Sequence, residues 1–93
     1  MPNSPTLMAR FKSPMIPWNV AIGRTLERLR DEQGMPVAVL ARAVGVSRTT
    51  MYFTLRGGRN ITVGDLHSAS RALGASASEV FVRASELRDS PAQ

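Results

Sequence analysis

Few side chains in this 93-residue sequence are suited to making or breaking covalent bonds. His67 is the single histidine and cysteine is absent, which removes thiol nucleophiles, disulfides and thiolate zinc sites and leaves no second imidazole to share a metal. No paired carboxylates stand at ligand spacing, no base lies at a readable spacing from a Ser or Thr nucleophile, and no glycine-rich phosphate loop follows a strand pattern. The sequence therefore predicts no catalytic residue, no metal, no cofactor and no small-molecule ligand. What remains is hydrogen-bonding chemistry, and it is grouped: Ser47, Arg48, Thr49, Thr50 and Tyr52 form one short run, with Arg42 before it and Arg56, Arg59 and Asn60 after it. A guanidinium such as that of Arg48 offers a fork of donors matching guanine O6 and N7. Thr49 and Thr50 can offer a hydroxyl to a base or phosphate, or a methyl to thymine.

The charge distribution agrees with that grouping. Twelve Lys and Arg against seven Asp and Glu give a formal net charge of +5. Residues 42–71 hold five arginines (Arg42, Arg48, Arg56, Arg59, Arg71) and one acid, Asp65, whereas Arg24, Arg28 and Arg30 are balanced by Glu27, Asp31 and Glu32. A basic centre on a small domain is the electrostatic footprint of a nucleic-acid partner; the plainer alternative is a solvated cationic face. The length suits one domain with a modest core, mostly aliphatic because aromatics make up 5% of the residues. No apolar run approaches the roughly 20 residues that span a bilayer, and residues 1–15 lack the continuous apolar segment of a signal peptide, so a cytoplasmic, nucleoid-associated location is expected and no membrane contact.

The elements that must position these residues are legible from periodicity and punctuation. Pro2, Pro5, Pro14 and Pro17 argue against a helix in residues 1–17, which read as a flexible arm whose Arg10 and Lys12 can follow a DNA groove. From Asn19, a candidate cap, Ile22, Leu26 and Leu29 repeat on one face until Gly34. Pro36 suits the first position of a second helix, with Leu40, Ala41 and Val44 inward and Gly45 at its end. Ser47 is placed to cap a third helix running to about Arg56, and Val46 with Met51 has hydrophobic-staple spacing. Thr62 and Asp65 mark the start of a fourth, with Leu66, Ala69 and Leu73 inward up to Gly74. Ser76 and Glu79 have capping-box spacing before a fifth helix bearing Val80, Phe81, Ala84 and Leu87. The domain thus spans 18–88, with a fraying tail at 89–93.

A short link at Gly45-Val46 lays the third helix across the second. If Val46, Met51 and Leu55 turn inward, Arg48, Thr49 and Tyr52 face out, and a major groove about 12 Å wide accepts one such helix, with its first residues at the base edges.

The run Leu40-Ala41-Arg42-Ala43-Val44-Gly45-Val46-Ser47-Arg48-Thr49-Thr50-Met51 resembles the helix-turn-helix of the Cro/C1-type (XRE) repressor family of bacteria and phages. The flanks resemble it too: the helix from Ile22 to Gly34, and Thr62-Val63-Gly64-Asp65-Leu66 through Ala72-Leu73-Gly74-Ala75-Ser76. The resemblance implies an all-α, five-helix, lambda-repressor-like DNA-binding domain and a transcriptional regulator, in the main a repressor, with double-stranded DNA as partner. It assigns base contacts to Arg48, Thr49 and Tyr52, and backbone contacts to Arg56, Arg59 and Asn60; Ser47, Thr50 and Arg42 are further backbone-contact candidates by residue type and position. Two positions depart from the family pattern. Pro36 and Val37 stand where Ser-Gln commonly grips a phosphate, and Leu55 stands where many members carry Glu, which shifts weight onto Arg42, Arg56 and Arg59. One short helix reads too few base pairs for useful specificity, so a homodimer is expected, with Val80, Phe81 and Leu87 as its candidate surface. Two other readings stay open. Apolar Val37, Val39 and Leu55 would suit a protein-interaction module (an antitoxin, an anti-repressor or a polymerase-contacting activator), and the basic charge alone would suit a non-specific architectural DNA binder.

Overall fold

A computed structural model of the chain describes residues 16–89, which form five α-helices and, among the described residues, no strand. The helices are α1 (Trp18–Glu32), α2 (Val37–Val44), α3 (Arg48–Leu55), α4 (Val63–Ala72) and α5 (Ala77–Asp89). Arg10 and Lys12, the expected arm contacts, and the tail after Asp89 lie outside the described residues.

The inward stripes meet in one aliphatic core. Ala21, Ile22, Leu26 and Leu29 of α1, Leu40 and Ala41 of α2, Met51 and Leu55 of α3, Ala69 of α4, Leu73 beyond it, and Val80 and Ala84 of α5 are buried together. Leu26 and Leu40 are fully enclosed, and each such side chain contributes about 1.5–3 kcal/mol relative to remaining in water. α1 is the central element, packed on α3 and α5, while α2 packs on α3 and α4. The buried hydroxyls Thr25 and Ser70 donate to the carbonyls of Ala21 and Leu66 one turn back, so they enter the core without an unmet hydrogen bond.

Capping residues set most helix limits as the sequence indicates. Thr62 Oγ1 accepts from the Asp65 amide at 3.0 Å. Ser76 and Glu79 close a reciprocal pair, Glu79 N to Ser76 Oγ and Ser76 N to Glu79 Oε1, both at 3.0 Å. Gln33 Nε2 donates to Leu73 O at 2.6 Å and ties the end of α1 to the end of α4.

Four expectations need correction. Asn19 does not cap α1; Pro17 occupies the cap position, and the Asn19 amide reaches Gly57 instead. Pro36 precedes α2 as its cap, with ψ 146, and its carbonyl accepts from Val39 and Leu40. Ile16 and Pro17, read from sequence as the end of the arm, join the body: Ile16 packs on the core and its carbonyl accepts from Arg88 Nε at 2.9 Å. Val80 is fully buried, because the stripe that supplies it to the core leaves nothing of it for a dimer surface.

Candidate nucleic-acid interface

The turn between α2 and α3 fixes the direction of α3. Gly45 has φ 88, a left-handed conformation that a side chain resists, and the amides of Gly45 and Val46 both bond to Ala41 O, at 2.8 and 3.0 Å. The chain then extends through Ser47, whose Oγ accepts from the Thr50 amide at 3.0 Å and donates to Thr50 Oγ1 at 2.9 Å. That bond meets one of the orphan N–H groups of α3, and the first turn, with Arg48 and Thr49 exposed, forms the positive end of the helix dipole, where a phosphate is favoured.

Helical period then sorts the side chains of α3. Met51, Thr54 and Leu55 are buried, while Arg48, Thr49, Tyr52 and Phe53 are exposed. Arg48, Thr49 and Tyr52, the expected base-contact residues, therefore share the outward side of one exposed helix. Thr49, Tyr52, Phe53 and Arg56 line a shallow hollow along it. The Arg56 guanidinium lies 5.9 Å from the Tyr52 ring centroid, within cation–π range.

The expected backbone-contact residues divide into three groups. Arg42, Arg56 and Asn60 are exposed. Ser47 is also exposed but is engaged with half-buried Thr50 in the cap. Arg59 is half-buried, and its Nη1 donates to Thr54 Oγ1 at 2.8 Å; Thr54 Oγ1 in turn donates to Thr50 O at 3.0 Å. Arg59 thus braces the turn after α3 from within the protein. His67 is exposed on α4, and among the described residues no group of three His, Cys, Asp or Glu could hold a metal.

Beside this face, Glu27 and Arg30 of α1 form a bidentate pair, Nε to Oε1 at 2.9 Å and Nη2 to Oε2 at 2.6 Å, and Arg30 Nη1 also donates to Met35 O at 2.6 Å. The Arg30 hydrogen bonds hold the Glu27 carboxyl below the usual carboxylate range against a smaller opposing effect of burial. Glu27, Arg30 and Val37 border Tyr52 and Arg56 in a neighbouring hollow, so this acid presents its charge already matched by a cation.

Sequence reasoning missed three residues that shape the site. Phe53 is exposed beside Tyr52, although its i+4 spacing from Thr49 is itself a signal for the outward face. Asn19, with the residue type of a cap for its own helix, reaches Gly57 beyond α3 instead. Gly23 sits where α1 meets the end of α3 so closely that a Cβ there would fall 2.6 Å from Thr54 O and 2.7 Å from Leu55 O.

Five helices with a capped, outward α3 after a glycine turn define a helix-turn-helix DNA-binding regulator fold. Residues 21–80 match the helix-turn-helix domain family, and the chain belongs to that family, with solved neighbours of the Cro/C1 (XRE) type. Two of these are structures of the clp gene regulator ClgR from Corynebacterium glutamicum. One is 30% identical with a TM-score of 0.76, covering 78% of this chain and 78% of that one. The other is 29% identical with a TM-score of 0.75, covering 81% of this chain and 96% of that one. The restriction-modification controller protein C.AhdI from Aeromonas hydrophila is 28% identical with a TM-score of 0.64, covering 68% and 96%. No curated protein matches the sequence. Among the described residues no helix is long and apolar enough to cross a membrane.

Proposed function

We propose that this chain is a sequence-specific transcriptional regulator of the repressor type, which inserts α3 into the major groove of double-stranded DNA in the cytoplasm and acts as a dimer. The observation that carries the reading is the outward side of α3, where Arg48 and Thr49 stand exposed in the first turn behind the Ser47 cap. In this reading Arg48, Thr49 and Tyr52 meet base edges, and Ser47, Thr50, Arg42, Arg56 and Asn60 meet the sugar-phosphate backbone. Arg59 combines a backbone contact with its bond to Thr54, and Arg10 and Lys12 extend the contact along a groove.

Dimerisation in this reading uses the outer side of α5. With Val80 withdrawn into the core and Leu87 half-buried against it, the surface consists chiefly of Phe81 together with Trp18, whose ring stacks on Phe81 at 4.8 Å between centroids and 7° between planes. Selection of bound fragments from a pool of random duplexes tests both parts together. A recovered inverted repeat with half-sites about 34 Å apart is the expected result, and equal retention of unrelated duplexes would sink the specific reading in favour of an architectural binder.

Val39 favours a second reading, since it is an apolar side chain 45% exposed at the start of α2, with Val37 half-buried beside it. A protein docked there would make the chain an interaction module, although buried Leu55 offers such a partner nothing. Stoichiometric co-purification of a protein, with no duplex retained, is the outcome that would select this alternative.

A further inference from the structure

We infer that Phe53 is a seat for the 5-methyl group of a pyrimidine in the major groove, so that the regulator reads thymine, and 5-methylcytosine in its place, through that methyl. The inference rests on the DNA-binding reading above and adds a specificity-determining residue to it. Phe53 is 56% exposed, and it lies in line with Thr49, Tyr52 and Arg56 along the hollow of α3. The Gly58 amide donates to Phe53 O at 2.7 Å and brings the turn after α3 back beside the ring, where a Cβ at Gly58 would stand only 3.2 Å from Phe53 Cδ1. The ring rests on that glycine and turns its other side outward.

An aromatic ring in this position has few suitable partners on a duplex. Phosphate oxygens are charged and strongly hydrated, and a ring carries no hydrogen-bond donor for them. The major-groove edges of guanine, cytosine and adenine offer acceptors and amino groups, whereas thymine alone adds an apolar group, the C5-methyl. A cytosine methylated at C5 carries the same group at the same ring position. Polar neighbours on either side can fix the register, Tyr52 through its hydroxyl and Arg56 through its guanidinium, while Phe53 excludes water from the methyl.

The experiment compares two pools of random duplexes, one copied with thymidine triphosphate and one with deoxyuridine triphosphate, each bound to the full chain. Deoxyuridine pairs as thymidine does and lacks only the methyl. Wild type is expected to bind its selected duplex about fourfold more tightly with thymidine than with deoxyuridine at one position per half-site, the value expected for one buried methyl-sized group. Phe53→Ala should bind both forms equally, Phe53→Leu should keep part of the preference, and 5-methylcytosine paired with guanine at that position should be preferred over cytosine by wild type alone. Equal binding of the two pools by wild type, with a sequence still selected, overturns the inference and leaves the regulator reading standing. A preference that survives in Phe53→Ala also overturns it, since the methyl is then read elsewhere, as by Thr49. Failure to select any sequence from either pool removes the DNA-binding reading and this inference together.

Discussion

The side-chain amide of Asn19 donates to the carbonyl oxygen of Gly57 at 2.6 Å, so the first turn of α1 holds the turn that leaves α3. A helix ends with carbonyls that lack partners, and a hydrogen bond from another element both satisfies one of them and fixes the helix against that element. Asn19→Ala should lower unfolding stability by about 1 kcal/mol, the usual worth of such a bond. Urea denaturation measures it directly, and an unchanged midpoint would mean that water replaces the amide without loss.

Gly23→Ala should be more severe. The backbone of α1 approaches the end of α3 so closely that a methyl at residue 23 would meet Thr54 O and Leu55 O, both backbone atoms that cannot rotate away. The added helix propensity of alanine, up to about 1 kcal/mol, is outweighed by a displacement of α3 that should cost about 1–3 kcal/mol. A Gly23→Ala variant as stable as wild type would show that the two helices can separate freely.

These two residues also mark what the sequence could and could not convey. Helix limits were legible because Ser47, Thr62 and the Ser76–Glu79 pair act within three residues of themselves, and the core was legible because Ile22, Leu26 and Leu29 repeat with the helical period. Asn19 and Gly23 answer to α3, more than thirty residues away in the chain, so no local pattern reveals them. Asn19 in particular has the residue type and place of a cap for α1, yet Pro17 already supplies that turn. For Val80 the apolar stripe is legible in the sequence, but only the packed fold shows which half of it faces α1.

Salt dependence should separate the cations by role. Each phosphate neutralised lowers log affinity by about 0.9 per unit of log salt concentration. Arg42→Ala and Arg56→Ala remove exposed side chains, so each should lower the slope by about 1, with stability unchanged within about 0.5 kcal/mol for Arg42→Ala and within about 1 kcal/mol for Arg56→Ala, which also loses the contact with Tyr52. Arg59→Ala also removes the bond to Thr54 Oγ1 and should lose stability as well. Parallel titrations of the three variants at several salt concentrations, with thermal melts, check this, and a stable Arg59→Ala protein would contradict the bracing role.

Glu27 provides a pH signature. Hydrogen bonds from Arg30 hold its carboxyl below the ordinary value of 4.5, so the folded chain releases this proton more readily than the unfolded chain does. The pair's stabilisation is therefore complete above about 4.5 and fades as pH falls through the lowered folded value. Because the Glu27 side chain is 44% exposed, screening limits the pair to between nothing and about 1 kcal/mol. Glu27→Gln should be less stable than wild type near neutrality and converge with it at low pH. A stability gap that is the same at both ends would show that charge is not what the pair contributes.

Arg48→Ala offers the sharpest division between binding and folding. The side chain is exposed at the first position of α3, and no described contact ties it to the protein, so its removal should leave the melting temperature within the range of ordinary surface substitutions. If its guanidinium grips guanine O6 and N7, binding to the selected duplex should weaken by about 1–3 kcal/mol, and preference should relax at one base pair per half-site while the others persist. A lysine replacement keeps the charge but lacks the fork, so Arg48→Lys should not restore that preference. Uniform weakening on every sequence would instead make Arg48 a phosphate contact, and unchanged preference with unchanged affinity would place the reading face elsewhere on the domain.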